Sequence, residues 1–289
     1  MSDTSKDPLV DRLRDESRPP ERPHYALGTL LGPDDFRDEQ LYHRGRLARA
    51  LACLFGAGTV AGLKIGARRG DDDDELTVEP GLALDVFGRL IEVQQRRCIR
   101  LRRWFDAEAP VGEQGKLAGA IQGDHAIAWL FLRFRPCEAG RTPVIAEGPF
   151  DATNATAPAR LRDVHELRLF FHGAPNQPKF ARSTTDPLRP ALRDPLPAAS
   201  PASDARLVAL KDAILAGWGA PPPADADWVL LGRVDLPVAR AADGTYRYAV
   251  DLSTAPPVLD NHLRPFVYGA WALAHDADLP LPPRASSST

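Results

Sequence analysis

The chain has 289 residues, 44% hydrophobic and 26% charged, with a formal net charge of −3 and a pI near 6.2. That composition is enough for one large globular domain or two modest ones. It lacks the bulk basicity of a nucleic-acid binder, and no apolar run approaches the roughly 20 residues that a membrane-spanning helix needs. The polar N-terminal stretch "MSDTSKDPLVDRLRDESRPPERP" has no apolar segment of the secretory kind. The cysteines, Cys53, Cys98 and Cys137, are odd in number and far apart. They read as buried thiols in a reducing cytoplasm, not as a disulfide framework or zinc site.

In chain order, residues 1–23 are charged and end in "RPPERP", which predicts a disordered or docking arm. Pro33-Asp34-Asp35 signals a helix start with an Asp at the cap. Phe36, His43, Leu47, Ala50, Leu51 and Leu54 recur at helical spacing and predict a stripe packed on a β-sheet. Arg37, Asp38, Arg44 and Arg49 fall largely off it. Tyr42 and His43 are adjacent, so they diverge by about 100° and read as packing on two sides of the helix, not as a catalytic dyad. Gly56 and Gly58 stop the helix.

The period then changes to two. Residues 59–67, 75–81, 82–88 and 89–94 read as short strands, with turns at Glu79-Pro80-Gly81 and at Gly88. The acidic run 71–74 reads as a loop tip. "RRCIRLRRWF" (96–105) reads as one basic strand, with Arg100 and Arg102 beside Cys98 on one face and Ile99, Leu101 and Arg103 on the other. A Gly-rich link (106–124) leads to the strongest strand, 125–136. Segment 161–173 fits helix or strand, its alternation from Leu167 making the second half a strand. Residues 173–203 are a Pro-rich excursion, 203–219 a capped helix bearing Leu207, Leu210, Ile214 and Trp218, and 227–237 and 245–252 strands joined by Asp243-Gly244.

The predicted fold is therefore mainly β (α+β), with sandwich or barrel-like sheets, an N-terminal amphipathic helix and a second helix near 203–218. The parts are the arm (1–23), a helix-plus-β domain (24–172), the excursion (173–203), a segment completing the same or a second domain (204–274) and a tail (275–289).

Chemical motifs are sparse. His165-Glu166 is half of a metalloprotease "HExxH", but Leu169 stands where the second His belongs. Asp85 reads as a turn-capping carboxylate. There is no G-x-S-x-G, P-loop or strand-linked G-x-G-x-x-G. No catalytic, metal or cofactor-binding residue is assigned, and no cofactor. Arg96, Arg97, Arg100, Arg102 and Arg103 read either as a solvated edge that deters aggregation or as a docking strip for an acidic partner. Nucleic acid is a weaker third option, since only Trp104 and Phe105 are near. Trp218, Trp228, Tyr246 and Tyr248 are the aromatics that a glycan-binding module would use; Asp85 and Glu166 are the acids a cell-wall hydrolase would use.

One pattern spans most of the chain. Gly28, Leu30, Leu31, Phe36, Glu39, Gln40, Tyr42, His43, Arg46 and Leu47 are followed by Gly56, Gly58, Val60, Gly62 and Leu63, and then by "VEPGLALDVFGRLIEV" with Pro80, Gly81, Asp85 and Gly88. With "LFLRFRPCEAGRTPV", "PARLRDVHELRLFF", "WVLLGRVDL" and "VLDNHLRPFVYGAWAL", this resembles a family of bacterial proteins encoded with contractile injection systems and phage-tail-like particles, over residues 25–273. The start "LLGPDDFRDEQLYH", with Asp34, is also similar to the N-terminus of type VI secretion baseplate proteins. Many members have "HG.GVV.GL"; here Phe55 replaces the His and Thr59 the first Val, so any role of that His is lost. The resemblance implies a non-enzymatic, cytoplasmic subunit assembled into a particle, at the baseplate or as its adaptor. Its partners would be baseplate, tube or sheath proteins, with self-association left open and no nucleic acid or membrane insertion.

Overall fold

The computed structural model of the protein describes residues 7–15, 19–69, 73–109, 117, 119–143, 156–179, 222–223, 226–249 and 256–268. The expected helix 203–219 with Trp218, most of the excursion 173–203 and the tail 275–289 lie outside these residues. The elements are α1 (Pro8–Arg14), α2 (Pro33–Phe55), β1 (Gly58–Gly62), β2 (Ile65–Arg69), β3 (Asp74–Val78), β4 (Gly81–Leu84), β5 (Leu90–Val93), β6 (Arg97–Arg100), α3 (Leu101–Glu108), β7 (Ile121–Gln122), β8 (His125–Pro143), β9 (Thr156–Phe171), β10 (Trp228–Arg240), β11 (Tyr246–Tyr248) and β12 (Val258–Asp260). The protein is mainly β, as its alternating segments predict. Its three antiparallel sheets run β1-β4-β5, β2-β3-β6, and β11-β10-β8-β7 with β9 on β8 and β12 on β10; none closes into a barrel.

The chain alternates between the two small sheets. β1 enters one, β2 and β3 the other, β4 and β5 return, and β6 crosses again. Two backbone crossings lock them: Leu63 N donates to Pro80 O (3.2 Å) and Glu79 N to Lys64 O (3.0 Å). Glu79-Pro80 is therefore a crossing between sheets, not the tight turn between paired strands that the sequence suggests. The stretch 59–67 likewise breaks at this crossing into β1 and β2. A Cβ on Gly81 would lie 2.4 Å from Ala61 O, so the two chain segments can meet only where a side chain is missing. The Gly88 turn behaves as predicted: β4 and β5 pair as a hairpin around residues 85–89.

The C-terminal segment ties the same crossing down. Asn261 accepts from Ile65 N (2.8 Å) through Oδ1 and donates through Nδ2 to Ile65 O (3.1 Å), imitating a strand neighbour. Buried Arg264 donates to Leu63 O (2.6 Å) and Asn261 O (2.9 Å), and also to Asn261 Oδ1. Burial pulls the Arg264 guanidinium pKa down to about 10. Thr59 N donates to Pro265 O and Val267 N to Thr59 O, both at 2.9 Å. Asn261→Ala strands the Ile65 N–H and C=O together and is expected to cost about 1–3 kcal/mol, read from the urea midpoint; a shift below a few tenths would show that solvent replaces Asn261.

The main core lies between the sheets and includes Leu63, Ile65, Leu76, Ile91, Leu101, Phe105, Leu130, Leu132, Leu169 and Leu231. The other face of β8 carries a second cluster, Ile127, Trp129, Phe131, Phe170 and Leu230, with Trp228 packed against it. Both faces of β8 are thus covered, which explains the unbroken apolar run "AIAWLFL". β8 and β9 pair from Ala128↔Phe171 out to Pro143↔Thr156. Their outer halves form an exposed two-stranded ribbon.

Three local expectations change. The basic segment is not one strand: β6 ends at Arg100 and α3 begins at Leu101. Leu101 and Phe105, four residues apart, bury one face of that helix, and Asp73 caps it by accepting from the Arg102 and Arg103 amides (3.1 and 3.2 Å). Within the 1–23 arm, residues 8–14 form α1, capped by Asp7, whose side chain accepts from Leu9 N. The three cysteines are exposed, not buried.

Candidate docking surface

α2 begins two residues earlier than a cap at Asp34 would place it. Gly32 is the cap, Pro33 the first helical residue, and Asp35 accepts from Gly32 N (2.7 Å). Asp34 instead pairs with Arg37 at the surface. Glu39 accepts the Tyr25 hydroxyl, which pins the segment before the helix.

The helix packs through its small residues, not through the predicted stripe. Ala48 is its buried residue, and its carbonyl lies against Gly88 of the β4–β5 turn. Gly45 faces Leu9 and Leu13 of α1. Close backbone approach needs short side chains, so the Gly45-Ala48-Ala52 side seats on the body. The large residues are turned outward: Phe36 is 50%, Leu47 57% and Leu54 73% exposed, and Gln40, His43 and Ala50 are exposed with them. His43 is thus a surface residue. Tyr42 and His43 do not diverge to separate packing sites; their rings meet edge-on at 5.3 Å.

A buried ionic cluster fixes how α2 sits. Arg89 donates to Asp85 Oδ2 (2.6 Å) and also reaches Asp7 (3.4 Å) and Asp227 (3.5 Å). Asp7 in turn binds Arg44 of α2 (3.2 Å). Asp85 accepts from the Phe87 and Arg89 amides, each at 2.9 Å, so its turn-capping role holds. The guanidinium lies 4.8 Å from the Phe134 ring centroid and 5.3 Å from that of Phe87. Burial pushes the Asp85 carboxyl above the ordinary range, and Arg89 pulls it back. Asp85 and Arg89 lie in the segment "VEPGLALDVFGRLIEV", but nothing in one dimension links them to Asp7, Arg44 and Asp227. The signal for Asp7 is an acid just before Pro8, a helix-start pattern inside a segment read as disordered.

The other candidate residues are dispersed. Arg96 pairs with Glu79 (2.8 Å), and Arg97 donates to His165 Nε2 (3.2 Å), while Arg100, Arg102 and Arg103 stay exposed on the β6–α3 junction. His165 also sits 3.1 Å from Glu92 O, and burial with the nearby Arg97 charge lowers its pKa. Glu166 holds Arg133 (2.6 Å) and Arg135 (3.0 Å). Trp228 packs against Phe131 and Phe170 under Arg133 (4.3 Å), and Tyr248 is buried with its hydroxyl on Asp74, its pKa raised by burial. These two aromatics form no exposed glycan platform. Of the structural motif residues, Gly58, Gly62, Pro80 and Gly81 meet at the sheet crossing and its C-terminal tie, Asp85 and Gly88 meet at α2, and Asp34, Phe36, Glu39, Tyr42, His43 and Gly56 lie along or beside the helix.

On the β8–β9 ribbon, the register places Arg135, Arg141, Arg160 and Arg162 on one face and Glu138 and Asp163 on the other. That segregation is invisible in the linear sequence because it depends on which residues of two distant segments pair.

No family model matches the chain, and no curated protein matches it. Among solved structures, the chain is similar to one in the baseplate complex of the type VI secretion system, at 12% identity and a TM-score of 0.30, over 80% of this chain and 57% of that one. It is also similar to one in the TssK-TssF-TssG baseplate subcomplex (13% identity, TM-score 0.32, 80% and 60% coverage) and to TssK in its crystal structure (13%, 0.30, 81% and 41%). The chain thus spans less than two thirds of each of these chains.

Proposed function

We propose that this protein is a structural subunit of a contractile injection system or phage-tail-like particle, at the baseplate or as its adaptor, acting by protein–protein docking. The observation that supports this best is where the residues of the family resemblance lie. Most of them hold two sheets and a helix together through close backbone approach and present α2 outward, while Tyr42 and Arg46 line a groove beside α1. A long helix whose fully buried residue is Ala48 and which exposes Phe36, Leu47 and Leu54 is built as a contact element. Arg141, Arg160 and Arg162 on the ribbon, with exposed Arg100, Arg102 and Arg103, are further contact candidates for acidic neighbours. Asp85 and Glu166, the acids a hydrolase would need, are held by arginines.

The test is purification of tail-like particles from the native host, with the tagged protein followed by mass spectrometry. The protein is expected to co-purify with baseplate, tube or sheath proteins, and Leu47→Asp/Leu54→Asp to reduce its incorporation at least tenfold while leaving its thermal midpoint within a few degrees. Intact, infective or contractile particles in the absence of the gene would sink the assignment.

A further inference from the structure

We propose that α2 pairs in parallel with α2 of a second copy of this chain, through the seam Phe36, Gln40, His43, Leu47, Ala50 and Leu54. This names a partner for the outward-facing helix and rests on the reading of α2 as a contact element. It is tested on the isolated protein, so its failure is separable from failure of the particle assignment.

The seam residues follow one another at spacings of four, three, four, three and four, and every one is exposed. That is a heptad period, in which the six positions read d, a, d, a, d, a. On an α-helix they span about 27 Å at about 1.5 Å per residue. A straight helix seated on a sheet buries a broader stripe; a narrow 3.5-residue seam stays in register only with another helix that has the same repeat. Among the described residues, α1 is not that helix, because it lies against Gly45 on the opposite side of α2. Nor is α3, whose Leu101 and Phe105 are in the main core.

Charge selects a second copy and its direction. Glu39 and Arg46 precede a positions, and Arg37 and Arg44 follow d positions. In a parallel pair the residue before a faces the residue after d five places on in the partner helix. Glu39 then meets Arg44 of the second copy, and the contact occurs twice by symmetry. Arg44 binds Asp7 but remains 38% exposed on its side chain, so donors are left for the partner. An antiparallel pair centred on Gly45 would instead set Arg46 against Arg46 and Arg44 against Arg44, which repel. The polar residues also fix the alignment. In the parallel register Gln40 meets Gln40, whereas a slip of one heptad sets Gln40 against Leu47 and leaves the amide without a partner. Leu51, beside the seam, is half-buried already and widens the apolar contact only modestly.

The test uses the full chain with its exposed cysteines replaced, Cys53→Ser, Cys98→Ser and Cys137→Ser. Sedimentation equilibrium is expected to give a mass above that of the 31.5 kDa chain. Ala50→Cys in this background is expected to form an interchain disulfide under mild oxidation, because a parallel d layer sets residue 50 opposite itself. Leu47→Asp/Leu54→Asp is expected to lower the mass to one chain with an unchanged circular dichroism spectrum, since both side chains are exposed in the single chain. Mixed disulfides between a Gln40→Cys copy and an Ala50→Cys copy, at higher yield than either symmetric product, would mean antiparallel pairing and overturn the proposal. So would a monomer whose Ala50→Cys thiol forms no dimer; slow hydrogen exchange at 36–54 in that monomer would point to a segment of the same chain covering the seam.

Discussion

Gly88→Ala is expected to destabilise the protein by about 2–5 kcal/mol. The residue has φ +78°, where a side chain costs about 1–2 kcal/mol. The added Cβ would also fall 1.8 Å from Ala48 O and 2.7 Å from its carbonyl carbon, both backbone atoms of α2. No rotamer can relieve that, so the helix must lift or the turn must deform, at about 1–3 kcal/mol for overpacking. Gly123→Ala is the control: its φ is +64°, but a Cβ there would have no heavy atom within 4 Å, so only the conformational cost applies. Urea unfolding should show a clearly larger loss in midpoint for Gly88→Ala, with m unchanged. Equal losses would mean that α2 is not seated on the β4–β5 turn. Because Gly88 sets how α2 faces outward, the same substitution is expected to weaken self-association more than Gly123→Ala does.

Arg89→Met is expected to cost about 3–5 kcal/mol at pH 7, because it leaves buried carboxylates without their cation. Asp85 is fully buried and Asp7 nearly so. Arg44 still binds Asp7, but Asp85 would keep only its two amide donors. The pH dependence has a definite sign. Burial already raises the Asp85 pKa above its ordinary 3.8, and Arg89 opposes the rise. Without Arg89 the pKa climbs further. A carboxyl that binds its proton more tightly in the folded state favours folding at low pH, and that advantage is lost as pH rises from the unfolded value through the raised folded one. The deficit of Arg89→Met should therefore be largest at neutral pH and narrow as pH falls toward about 4. Asp85→Asn/Arg89→Met should be less destabilised at pH 7 than Arg89→Met alone, since no charge is then stranded beside Phe87 and Phe134. Urea midpoints at neutral and acidic pH decide it: a deficit that does not change with pH, with no gain from Asp85→Asn, would place the loss in packing.

These two positions also show how much was legible in one dimension. Gly88 reads correctly as a turn, since a glycine between two alternating segments marks a hairpin whatever surrounds it. What it touches does not read, because Ala48 lies 40 residues earlier and the contact is with its backbone. Asp85 reads correctly as a cap, since its amide partners are two and four residues away. Its role in a cluster with Asp7, Arg44 and Asp227 needs four elements brought together in space. The arginine segment failed for a local reason. Arg97 to Arg103 alternate well enough for a strand, but Leu101 and Phe105 are spaced for a helix, and the core accepted that spacing.

By itself, the sequence determined what depends on near neighbours. It set the β-rich class, the long helix with its glycine stop at Gly56, the β4–β5 and Asp243-Gly244 hairpins, and the apolar strand β8, whose both-face burial shows as an unbroken apolar run. Only the tertiary structure decided which way α2 turns, that Glu79-Pro80 crosses between sheets, and that the outer ribbon sets Arg141, Arg160 and Arg162 on the face opposite Glu138 and Asp163. An amphipathic pattern states that a helix has two unlike sides; it does not state which side the body takes. Here the body took the small side, because Gly45 and Ala48 let backbones approach α1 and the Gly88 turn more closely than Leu47 and Leu54 could. Phe36, Leu47 and Leu54 were left facing outward.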